Sequence, residues 1–463
     1  MSLPRATARP PAELPDFITA RLVRPIQDFM RTEASSGIVL VVAAVVAIIW
    51  ANSPWGSEYF DLLHRELALD LSWISMEEDL LHFINDGLMT IFFFTVGLEI
   101  KRELVHGELA SPRRAALPAA AALGGMVVPA LIYTSLNAGT DASHGWGIPM
   151  ATDIAFAVGV LSLLGNRIPF GVKVFLLALA IVDDLGAIMV IAIFYTDSIS
   201  AEALLMAAAL LVIVITMSRL GVRNVWAYWA VGTLLWLAVF KSGVHATLAG
   251  VALAAVTPAY PGQTSATFLS GSRQLLDEFE EAHERDDHEA AELYTARVEQ
   301  LSRDTESPLD RLEHALLPWV SFVIVPIFAL ANAGLEVDGA FLSDALHSEI
   351  SLGVGFGLLV GKVAGISLFT LVVVALGLGT LPRGMTFAHV LGVGMLGGIG
   401  FTVALFVTDL AFENPLFKDE AKAGVFAASI LATLIGILFL RLFGDSSVPL
   451  AGQGGDDMEV GSG

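Results

Sequence analysis

The 463-residue chain contains no cysteine. Without a thiol there is neither a disulfide framework nor a thiolate metal site. Charge is scarce too: Asp, Glu, Lys and Arg make up 16% of residues, against about 25% in a soluble globular domain. Basic residues are scarcer still, 25 against 47 acids, for a net charge of -22. So acidic a chain is a poor ligand for nucleic acid and offers no polybasic surface for lipid headgroups. Residues 1–36 carry five arginines but no hydrophobic core, so they do not read as a cleavable signal peptide.

What is abundant is apolar sequence. Hydrophobic residues reach 55%, and the mean hydropathy is +0.71. Twelve apolar runs succeed one another, at 37–51, 80–100, 115–136, 148–164, 174–195, 201–217, 225–240, 244–256, 319–335, 352–376, 388–410 and 421–440. A helical crossing of a bilayer needs about 20 apolar residues. The expected fold is therefore an all-α polytopic membrane protein with twelve transmembrane helices. The first, fourth and eighth runs are short, which marks re-entrant segments or helices broken inside the protein.

Charge placement sets the orientation. With the N-terminus inside, the short inner segments hold 15 Lys and Arg and the outer ones 4. The positive-inside rule then puts both termini in the cytoplasm. The expected organisation is a cytoplasmic N-terminal segment at 1–36 and spans one to eight at 37–257, with an outer hairpin at about 52–79. An acidic cytoplasmic loop at 258–317, spans nine to twelve at 318–440 and a disordered cytoplasmic tail at 441–463 complete it. Alternation in ELALDLS is compatible with a short hairpin. The loop segment 273–300 reads as one exposed amphipathic helix among many acids, a solvated spacer.

The stretch that breaks the apolar pattern most sharply is ALAIVDDLGAI, residues 178–188. Asp183 and Asp184 sit near the middle of a span. An aspartate at the centre of a membrane helix costs about 2.5–3.5 kcal/mol on insertion scales, and here there are two. Neighbours on a helix point about 100° apart, so one carboxylate can face a water-filled cavity and the other a neighbouring helix. The pair reads as an ion or proton site. Lys362 lies about ten residues or more from either end of its span, so it needs a carboxylate partner or must lose its proton. Around it Gly353, Gly357, Gly361 and Gly365 leave one helix face nearly bare, open to close approach by another helix. Thr152 and Asp153 interrupt the fourth span, and Gly397, Gly398 and Gly400 the eleventh. Half-helix ends meeting there would expose backbone dipoles, with Asp153 placed to offset the positive ends and Lys362 the negative ones.

These motifs (PMATDIAFAVGVLSLLGNRIP, LALAIVDDLGAI, FFFTVGLEIKREL, KSGVHATLAG, PIFALANAG and GGIGFTVALF) together resemble the bacterial NhaA-type sodium/proton antiporters over residues 32–440. That family is itself an example of inverted-repeat transporters, so the resemblance implies two inverted three-helix repeats with two unwound crossing helices. It implies Asp184 as the cation-binding aspartate with Asp183 its partner on the same helix, Thr152 and Asp153 as the polar pair at the crossing, and Lys362 as the partner of Asp183. Sodium ligands are then expected from Asp184, Asp183 and Thr152. Glu99, His245, Glu313 and His314 fall at positions tied to pH response, and Asp86 at the funnel aspartate. Leu317 and Val363 depart from some members, which have histidine and proline there. The resemblance implies exchange of cytoplasmic Na+ (or Li+) for external H+, electrogenic and pH-regulated, by alternating access. No cofactor is expected. The setting is the bacterial cytoplasmic (inner) membrane, with a homodimer through the outer hairpin.

Two other classes meet the same residues. Intramembrane aspartyl proteases carry their aspartates on separate helices, and prenyl-transferring enzymes use DDxxD clusters. Here the pair is adjacent and followed at the relevant positions by Ala187 and Ile188, so neither enzyme pattern fits. A passive cation channel is separated from an exchanger by whether flux is coupled to protons.

Overall fold

The structure is a computed structural model that describes residues 24–71, 74–196, 199–220, 222, 225–303 and 305–444. The segment 1–23 and the tail from 445, on which two of the expected regions rest, lie outside the described residues.

Helix α1 (Arg24–Ala51) turns through 114° into the short α2 (Gly56–Leu63). Gly56 permits that turn, since a Cβ there would collide with the Ala51 carbonyl. Tyr59 on α2 donates to the carbonyls of Leu330 and Ala331, at 2.8 and 3.0 Å, and ties this corner to the bundle. Strands β1 (Glu66–Leu71) and β2 (Ile74–Asp79) pair antiparallel, from Glu66 opposite Asp79 to Leu71 opposite Ile74. The Asp79 side chain then caps α3 (Leu80–Val105) by accepting from the His82 amide at 2.8 Å, as an N-cap aspartate does.

The long apolar helices come next: α4 (Pro112–Asn137), α6 (Phe170–Phe194), α7 (Ala201–Arg219), α12 (Pro308–Asn332), α14 (Glu349–Ala375) and α17 (Pro415–Phe443). With α3 these are, among the described residues, seven helices long and apolar enough to cross a membrane, or up to ten if each bent pair is one span. The fourth and eleventh apolar runs are the broken ones. A 3-10 segment, Asp141–Met150, meets α5 (Ile154–Leu163) at 42°, and α15 (Phe387–Gly397) meets α16 (Phe401–Ala411) at 48°. Two more runs form shorter helices, α8 (Val225–Phe240) and α9 (Thr247–Val256), of 16 and 10 residues. At 1.5 Å per residue each is shorter than the roughly 30 Å hydrocarbon core. Helix α7 exposes Leu205 and Val212, an apolar surface that belongs in lipid and not in water.

Two close helix contacts organise the bundle. Helix α9 lies parallel to α3, with Gly97 against Ala254 and Gly250 against the Thr90 carbonyl. Lys101 closes the end of α9 by donating to the carbonyls of Ala255 and Thr257, a cation where the helix dipole is negative. The glycine-bare face of α14 lies on α4. A Cβ at Gly361 would meet Pro129 at 2.8 Å, and one at Gly365 would strike the Gly124 carbonyl.

The loop after α9 differs from the single helix that its sequence suggests. It folds as two helices, α10 (Ser265–Glu284) and α11 (His288–Arg303), packed on each other. Asp286 breaks the run at φ 57°, and Asp287 restarts it by accepting from the Ala290 amide at 3.1 Å. Short acidic side chains favour such a left-handed turn and the cap after it. The short α13 (Gly339–Ala345) precedes α14.

Candidate functional site

The two breaks meet in the middle of the bundle. The Asp153 amide donates to the Ile399 carbonyl at 2.7 Å, and the Thr152 hydroxyl to the Gly397 carbonyl at 2.9 Å. The carbonyl end of α15 is thus met by Thr152 and the Asp153 backbone, whereas the Lys362 ammonium goes elsewhere. Asp153 sits at two helix N-termini at once. Its carboxylate accepts from the Phe156 amide at 2.9 Å, the Thr402 amide at 3.1 Å and the Thr402 hydroxyl at 2.5 Å. A carboxylate at such an end is stabilised by the unpaired N–H groups and the dipole. Asp153 and Thr402 are both buried.

On α6 the two neighbouring aspartates have different surroundings. Asp183 accepts from Lys362 Nζ at 2.8 Å, and both side chains are sealed, at 1% and 0% exposure. Such a pair persists in an apolar interior only with tight geometry. Asp184 instead lines a narrow cavity of about 50 Å³, together with Asp153, Glu99, Thr95 and Thr402. Apolar residues of α1, α3 and α12 line it, among them Leu40, Phe92 and Val325, together with residues of α5, α6 and α16. Thr152, expected among the sodium ligands, does not line this cavity, and Thr402 does. The reason is the hydrogen bond that turns the Thr152 hydroxyl toward α15.

Among the described residues, three π-helical turns interrupt otherwise regular helices, at Ile84–Leu88, Val320–Ile324 and Gly357–Gly361. Such turns insert one residue and rotate the remainder of the helix, and they gather at functional sites. The third places Lys362 at the very next position.

The four expected pH-response residues are dispersed. Glu99 lines the cavity. Glu313 is buried and accepts from Arg102, one turn beyond Glu99, at 2.5 Å. His314 is exposed and faces Glu306 at 3.2 Å. His245 lies at the other end of the bundle, before α9, where Nε2 donates to the Tyr195 carbonyl at 2.5 Å. Asp86 lies in the first π turn, away from the cavity lining. Sequence reading missed Arg102 as the partner of Glu313, which its place three residues after Glu99 hints at. It also missed Asp409 and Lys418, an ion pair near the end of α16; an aspartate in the eleventh run, LFVTDLAF, was the available signal.

A bundle of apolar helices around buried, paired charges and a carboxylate-lined cavity defines a multi-pass membrane protein of the ion-transporting class. The Na+/H+ antiporter 1 family matches residues 27–440, and the chain belongs to that family. A relative from Oleidesulfovibrio alaskensis, named Na(+)/H(+) antiporter NhaA, is 48% identical over 91% of this chain and 94% of its own length. One from Myxococcus xanthus, named Na(+)/H(+) antiporter NhaA 2, is 44% identical over 98% of both. The family is one of transporters, with Na+ and H+ as the transported ions.

Proposed function

We propose that the protein exchanges cytoplasmic Na+, or Li+, for external H+ by alternating access at Asp184. The carrying observation is that two adjacent carboxylates are held apart in role: Asp184 on the cavity, Asp183 locked to Lys362. A cation and a proton compete for Asp184, since either one relieves the charge of a carboxylate crowded by its neighbours. Sodium prefers hard oxygen ligands, and the Asp153 and Thr402 side chains beside the cavity offer them. Asp183 and Lys362 carry the extra proton that makes the cycle electrogenic. Glu99, Glu313, His314 and His245 adjust the pH at which it runs, and Asp86 marks the outer approach.

In this reading all twelve apolar runs cross the bacterial inner membrane. The fourth and eleventh are the unwound helices that cross each other, each the middle member of an inverted repeat. Both termini and the α10–α11 pair are cytoplasmic, and two copies associate through the outer β1–β2 hairpin. The cycle needs no cofactor. The test is to add sodium to everted vesicles with an acid interior and track the internal pH. Exchange makes the interior alkaline; sodium entry without a pH response would mean a channel.

A further inference from the structure

The cavity that reaches Asp184 touches three helices that also meet, farther along, in a partly buried polar cluster. On α3, Phe92, Thr95, Val96 and Glu99 line the cavity, and Asn85 lies beyond them. On α12 the lining runs from Leu317 to Val325, and Asn332 closes the helix. On α16 it is Thr402 and Val403, and Asp409 lies seven residues from Thr402, about 10 Å along a helix. Asn85 and Asn332 form a reciprocal amide pair at 3.2 and 2.7 Å, both buried. Asn85 also donates to Asp409 Oδ2 at 2.9 Å, and Lys418 at the start of α17 holds the other Asp409 oxygen. Between cavity and cluster lies an aromatic layer, with Phe406 packed on Phe93 at 5.4 Å and on Phe328 at 6.3 Å between ring centres.

We infer that Asp409 is a positioning residue for the exchange cycle: its carboxylate latches the outer end of the cavity shut. Helices α3 and α16 both line the cavity. The Asn85–Asp409 bond joins the same two helices farther along, beyond the aromatic layer. Opening the far end separates α3 from α16 there, so that bond breaks and the aromatic layer parts. Charge-assisted bonds are the strong kind, and this carboxylate is shared between an amide and an ammonium. The latch therefore weights the equilibrium toward the conformation seen here. A ligand or substitution acts on it only through that difference between states.

The inference rests on the alternating-access reading, and its test can be separated from it. The native chain has no cysteine, so Val403→Cys gives a single thiol on the cavity. In Asp409→Ala, an impermeant thiol reagent added at the outer face is expected to label Cys at position 403 faster than in the parent. The sodium concentration for half-maximal exchange is expected to fall at the outer face and rise at the cytoplasmic face, shifting their ratio by at least about threefold. Asp409→Asn keeps an acceptor for Asn85 but loses the attraction to Lys418, and Lys418→Met loses the same attraction from the other side. Both give the same shift at smaller size, and they decide the question alone if Asp409→Ala does not fold. Unchanged labelling and an unchanged ratio in folded variants would overturn the latch. Labelling needs no transported ion, so it answers even if exchange at Asp184 proves wrong.

Discussion

The centre of the bundle and the α10–α11 pair contain the same kinds of charged residue at very different cost. In the hairpin, Arg285–Glu281 and Arg303–Glu299 lie one turn apart on exposed surface, where such pairs contribute at most about 1 kcal/mol. Leu276 and Leu293 are more than half exposed there, at 56% and 53%, so little apolar area is secured. At the centre, Lys362 and Asp183 are sealed, and removing one partner of such a pair costs about 3–5 kcal/mol. Water supplies the hairpin's charges with partners; at the centre each partner must be another residue or an ion. Function that depends on moving a charge therefore belongs to the second region.

Substitutions can break this contrast. Asp184→Asn is expected to abolish sodium-driven proton release in vesicles with normal amounts of inserted protein, since an amide cannot trade a cation for a proton. Exchange at the native rate would remove Asp184 from the site. Next in size, Asp183→Asn and Lys362→Gln each strand a buried charge and are each expected to cripple exchange. The double variant removes both charges. It is expected to recover part of the exchange and, in proteoliposomes, to move sodium against a pH gradient without building a voltage. A double variant that still generates voltage would place the extra proton elsewhere.

Smaller effects sharpen the comparison from its margin. Glu313→Gln and His314→Ala are expected to move the activity profile along the pH axis while the maximal rate holds. Glu313 meets Arg102 one turn from the cavity, and His314 lies on the surface beyond it. A collapse of maximal rate with no shift would assign them to the ion path instead. The smallest effect is expected from deleting 273–300. Gly271 already lies against Leu301, so the cut ends are neighbours, and a shorter loop changes closure entropy by only about 0.6 kcal/mol per halving. Correct insertion with no exchange would make the hairpin part of the mechanism.

The spans and their polar interruptions are legible in the sequence because each is a local pattern: an apolar run, a glycine cluster, an acid in the wrong place. Partnership is not local. Asp183 and Lys362 are 179 residues apart, and Asn85 and Asp409 are 324 apart. A need for a partner can be read from Lys362 alone, but not which of Asp153, Asp183 and Asp184 meets it. Thr152 and Thr402 show the same limit, because which hydroxyl reaches the cavity depends on how two breaks from distant runs dock. The split between α10 and α11 was hidden differently. Acids on both sides of Asp286 carry the same polarity through the turn, so periodicity continues where the backbone does not.

The bare strip between α4 and α14 fixes more than a packing distance. The lysine reaches α6 by passing over Gly125, where an added Cβ would stand 3.6 Å from the Lys362 Cδ and 3.0 Å from Ile366. Backbone touches backbone at Gly124 and Gly365, so nothing between the helices can be trimmed to bring them closer. The span of the bridge to Asp183 is thus set by two peptide chains and not by the reach of a flexible amine. A corridor with walls that thin admits one slender side chain and passes any shift of α14 straight to the charge it carries.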